Sequence, residues 1–132
     1  MDATERDPHA EAPAAYLGVY DADGGLLGDL AYVVGHVVGR AECALCDVTH
    51  TWHRKPEWDR MVARLGVPFT LTYRNRVTDA SVLAAIRECG LPLVLEQDDA
   101  GTWHALLGRE ELRAAGGSVA AFEQQLRRAR AR

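Results

Sequence analysis

The run from Val67 to Leu107 constrains the fold more than any other part of the chain. "VPFTLTY" has strand composition. "TDASVLAAIRECG" reads as a helix capped by Thr78 or Asp79, with Val82, Leu83 and Ile86 inward and Gly90 as its stop. "LPLVLEQ" is again strand-like, "DDAG" is a turn, and "TWHALLG" is its returning partner. A helix between two strands predicts a crossover and a parallel pair, and the tight turn adds an antiparallel neighbour. The expected class is therefore α/β, a mixed sheet with flanking helices. At 132 residues and 14.5 kDa the chain suits a single domain that needs no disulfides to hold its core.

Upstream, residues 1–14 are polar, without period, and read as a leader before a domain over 15–132. Tyr16–Ala22 has the β-branched and aromatic content of a first strand, closed by the turn signal at Asp23-Gly24-Gly25. Over Leu26–Val38 the apolar residues recur at helical spacing, while "YVVGHVV", Tyr32–Val38, is equally strand-like. We take the helix and keep the strand as the alternative. "PEWDRMVARLG" predicts a helix with Pro56 in its first turn, Trp58, Met61, Val62 and Leu65 inward, and Gly66 at its end. After Arg109 a helical region breaks at Gly116-Gly117. Ser118 then caps a last helix with Val119, Phe122 and Leu126 as the buried stripe.

This element order, with Pro92 opening the penultimate strand in "GLPLVLEQDDAGTWHALLG", resembles the thioredoxin-like fold over about residues 56–130. The resemblance implies a cis-proline at Pro92 facing a C-x-x-C that follows the first strand and opens a helix. If Tyr16–Ala22 is that strand, Cys43 lies a whole element further along than the family pattern. If Tyr32–Val38 is, Cys43 and Cys46 fall near the family position.

"ECALCDVTHTWH", Glu42–His53, gathers two of the three cysteines and two of the five histidines of the chain. Thiolates two residues apart converge on one ion, and His50, four residues after Cys46, joins them if the loop winds into a helical turn. Cys43, Cys46 and His50 thus form a Cys₂His set, with His53 as a fourth candidate ligand and Glu42 and Asp47 as outer partners. Sulfur with imidazole suits zinc or copper(I). The reading we take is a small protein binding one of these ions. The alternatives are thiol–disulfide exchange with a thiol partner protein, Cys43 attacking and Cys46 resolving, or an interaction domain with no chemistry at the loop.

A net charge of −4 argues against nucleic acid as a general partner. The Arg127, Arg128, Arg130 and Arg132 tail reads as a helix end complementing its dipole. No apolar run reaches the roughly 18–20 residues of a membrane span. No secretory signal opens the sequence, so the cytoplasm is the expected compartment. Of the remaining residues, Cys89 is expected as a small buried hydrophobe and His36 as a core or boundary histidine. His104 is expected to face solvent or a sheet neighbour, and Trp52 and Trp58 to shield the loop. Arg74 and Arg76 are expected in a solvated loop or against an anion. The Asp21–Asp23 region reads as turn chemistry, with Asp21 open to a cation if it abuts the cysteines.

Overall fold

A computed structural model describes residues 13–23, 44–50 and 54–131. Among the described residues there are four strands, β1 (Ala15–Tyr20), β2 (Phe69–Tyr73), β3 (Leu93–Gln97) and β4 (Trp103–Leu107), in the sheet order β2-β1-β3-β4. The described helices are α1 (Ala44–Thr49), α2 (Pro56–Leu65), α3 (Ala80–Cys89), α4 (Arg109–Ala114) and α5 (Val119–Ala131). The choice between helix and strand for Tyr32–Val38 lies outside the described residues, as does His36.

The sheet is mixed, but its parallel pair is not the expected one. β1 and β2 are parallel, with Tyr16 opposite Phe69 and Tyr20 opposite Tyr73. β3 is antiparallel to β1, Val19 facing Leu93, so the strands on either side of α3 run in opposite senses. The reason lies in the loop. After β2 the chain returns through residues 74–79 to the far end of the sheet, where Ser81 Oγ accepts from the Trp103 backbone N–H at 3.1 Å. α3 then climbs back, and β3 must descend. β1, from earlier in the chain, fills the place between β2 and β3.

Strand alternation splits the core into two layers. Tyr16, Gly18 and Tyr20 face one side, where Leu45, Val48, Trp58, Met61, Phe122 and Leu126 are buried. Leu17 and Val19 face the other, against Val82, Leu91, Leu93 and Leu95. The first layer carries α1, α2, α4 and α5, and the second α3. Trp58 is 2% exposed, with its ring 4.9 Å from Phe69 and 5.4 Å from Phe122, so it belongs to the core, as its helical spacing predicts.

Most local signals act as read. Pro56 opens α2, and Gly66 ends it at φ 68°. Asp79 caps α3, its carboxylate accepting from the backbone N–H groups of Ser81 and Val82. Gly116 and Gly117 take positive φ between α4 and α5, and Ser118 Oγ accepts from the Ala121 N–H at 3.1 Å. Val119, Phe122 and Leu126 are buried, as their spacing predicts. Cys89 is exposed, contrary to expectation: it is the last residue of α3, where the chain turns away at Gly90. Arg127 pairs with Glu123 at 2.6 Å one helical turn back, and Arg64 of α2 meets the same carboxylate at 2.6 Å.

Candidate functional site

α1 carries the described part of the cysteine segment. Six residues are too few for an isolated helix, so packing must hold it. Leu45 and Val48 supply that packing, both fully buried. The sheet receives Leu45 at Gly18, where an added Cβ would meet Leu45 Cδ2 at 3.1 Å and Leu71 Cδ2 at 3.0 Å. Absence of a side chain at Gly18 is what lets α1 lie this close to β1.

At its C-terminal end α1 is tied to the sheet by a polar cluster. Tyr20, the last residue of β1, has its hydroxyl 2.9 Å from Thr49 Oγ1 and 3.5 Å from His50 Nδ1. Thr49 Oγ1 lies 2.6 Å from His50 Nδ1 and can also donate to the Cys46 carbonyl at 3.4 Å. The His50 backbone N–H donates to that same carbonyl at 2.8 Å, which carries the helical turn through His50. Thr49 is the buried polar residue of the described core, at 0% exposure, and Tyr20 is 4% exposed. A buried hydroxyl needs a partner, and these groups provide it for one another.

Cys46 and His50, one turn apart, thus lie on the same side of α1, both partly exposed. Burial holds the His50 imidazole below its ordinary pKa. The nearby Arg54 charge lowers it further, and Asp59 opposes both. Burial thus favours the neutral ring, the form that ligates a cation or accepts a proton.

The predicted loop is thus helical from Ala44, and two of the four candidate residues share one face. Cys43 and His53 lie outside the described residues, as do Glu42 and Trp52. Among the described residues no three histidine, cysteine or carboxylate donors gather as a metal site.

Sequence reasoning did not find Thr49 or Tyr20. Thr49 stands beside His50 in "DVTH", but Tyr20 is 29 residues from Thr49 and only folding joins them. Arg74 pairs with Asp21 at 3.0 Å and with Asp23 at 2.7 Å, and its hydrogen bond holds the Asp23 carboxyl below its usual range. Arg74 is accordingly engaged by internal carboxylates, while the Arg76 guanidinium lies 5.9 Å over the Tyr73 ring. His104 is exposed and bonds Asp98 at 2.8 Å.

Pro92 stands at the same end of the sheet. It precedes Leu93, the partner of Val19, and so sits level with Tyr20; the Leu91–Pro92 bond is cis. Comparison of the chain with protein-family models, curated proteins and solved structures gave no match. Among the described residues no helix is long and apolar enough to cross a membrane.

Proposed function

We propose that this protein binds a transition metal, zinc or copper(I), through Cys43, Cys46 and His50, with His53 available as a fourth ligand. The observation that carries the reading is the placement of Cys46 and an anchored His50 one helical turn apart. A thiolate and an imidazole one helical turn apart are a soft donor pair, and Cys43 brings a second sulfur from three residues upstream. Burial favours the neutral ring, and the thiols must lose their protons when the ion binds. The test is elemental analysis of protein purified without added metal, with Cys43→Ser and His50→Ala beside it. Stoichiometric metal lost in both variants is the expected result. Metal-free protein that also refuses zinc and copper(I) overturns the reading.

Thiol–disulfide exchange in the cytoplasm is the second reading. The sheet order β2-β1-β3-β4 supports a thioredoxin-like scaffold, on which a dithiol is the working group. Cys43 as thiolate would attack a partner's disulfide and release one partner thiolate. Cys46 would then attack the mixed disulfide, leaving the partner reduced and the Cys43–Cys46 pair oxidised. Turnover in insulin reduction, abolished by Cys43→Ser, is the expected result. No turnover together with an ordinary Cys43 thiol pKa removes this reading.

A further inference from the structure

We infer that Thr49 and Tyr20 are positioning residues for His50, and that the imidazole offers Nε2, not Nδ1, to whatever the Cys46–His50 face holds. The inference rests on reading that face as the working site. His50 Nδ1 is 2.6 Å from Thr49 Oγ1, and the Tyr20 hydroxyl is 2.9 Å from the same oxygen. Thr49 is wholly buried and Tyr20 almost so, which keeps water from replacing either hydroxyl. A metal–imidazole bond of about 2 Å needs a clear approach to the nitrogen. Nδ1, closed off by a buried oxygen, has none.

A hydroxyl is the group that can hold this ring in both of its neutral forms, because it donates and accepts. With the ring proton on Nε2, Thr49 donates to Nδ1 and accepts from Tyr20. With Nε2 engaged by a cation, the ring keeps its single proton on Nδ1, having exchanged it through solvent. Nδ1–H then donates to Thr49 Oγ1, and the Thr49 hydrogen turns to the Cys46 carbonyl at 3.4 Å, whose other lone pair takes the His50 N–H at 2.8 Å. Neither state strands a buried polar atom without a partner. A carboxylate in place of Thr49 would serve only the Nδ1–H form.

The test is long-range ¹H–¹⁵N correlation spectroscopy of the labelled full chain, metal-free and with one equivalent of zinc. On adding zinc, His50 Nε2 is expected to move to the range of a metal-bound nitrogen and Nδ1 to that of a protonated one. In the metal-free protein Thr49→Val should shift Nδ1 and change the tautomer ratio, and Thr49→Ser should restore both. Zinc affinity should fall about tenfold to hundredfold in Thr49→Val and recover in Thr49→Ser. Where Thr49→Val does not fold, Tyr20→Phe carries the comparison, with a smaller Nδ1 shift expected. Zinc found on Nδ1 overturns the inference, as does an Nδ1 resonance that neither variant moves. Failure of the metal reading looks different: the wild-type chain takes no zinc, yet Thr49→Val still displaces Nδ1 in the metal-free spectrum.

Discussion

Replacing Gly18 with valine tests whether the approach of α1 to β1 holds the site together. An ideal Cβ at position 18 lies 3.0 Å from Leu71 Cδ2 and 3.1 Å from Leu45 Cδ2, whereas carbons in comfortable contact are about 3.5–4.0 Å apart. Alanine therefore asks two leucine methyls to yield by a few tenths of an ångström. It also removes chain freedom from the unfolded state, a gain of about 0.4–1 kcal/mol that brings the net change near zero. Valine adds two more methyls into the same space, and overpacking of this kind costs about 1–3 kcal/mol. With a urea slope near 2 kcal/mol/M, a loss of about 2 kcal/mol moves the unfolding midpoint down by about 1 M. Leu45 is one of the two residues displaced, so α1 should loosen as well. Alkylation of Cys46, followed by peptide mass spectrometry to separate it from Cys43 and Cys89, should accelerate in Gly18→Val and not in Gly18→Ala. A valine variant whose midpoint and Cys46 labelling both match the wild type would refute the argument that Gly18 seats the helix.

Tyr16 has a fully buried hydroxyl without a hydrogen-bond partner among the described residues, and burial pushes its pKa up to about 12 from 10.0. Tyr16→Phe should raise stability by about 1 kcal/mol, since an orphaned buried hydroxyl is a cost. The wild type should lose stability as the pH climbs from 10 towards 12, because the unfolded phenol ionises first, and the phenylalanine variant should lack that component. Urea midpoints across this range check both; an unchanged or lowered midpoint at pH 7 counts against the assignment. For His50 the sign is reversed. Its folded pKa is depressed below the ordinary 6.5, so its contribution is complete above pH 6.5 and is lost as the pH falls through the folded value. His50→Gln should flatten the decline between pH 7 and 5 in the metal-free chain, and identical slopes for the two proteins would exclude the effect.

What could be read from the sequence was local. The caps at Asp79 and Ser118, the stops at Gly66 and Gly90 and the break at Gly116-Gly117 each depend on a few adjacent residues, and the structure uses them all. The buried stripe of α5 follows from helical period in the same way. Errors arose where a residue's fate depends on something distant. Cys89 has the spacing of an inward residue, yet α3 ends there. The parallel pair expected across α3 fails in the same way, because β1 lies between β2 and β3.

Alternation and punctuation determined, without coordinates, that this chain builds a mixed α/β sheet, and spacing alone set Cys46 and His50 four residues apart. The order of the strands, the antiparallel sense of β2 and β3, and the partners of the imidazole were decided by tertiary structure alone. Sequence period reports which way a side chain points relative to its own backbone. Only the assembled sheet sets what it meets there, because β1 enters between strands that are distant from it in the chain and brings Tyr20 to Thr49.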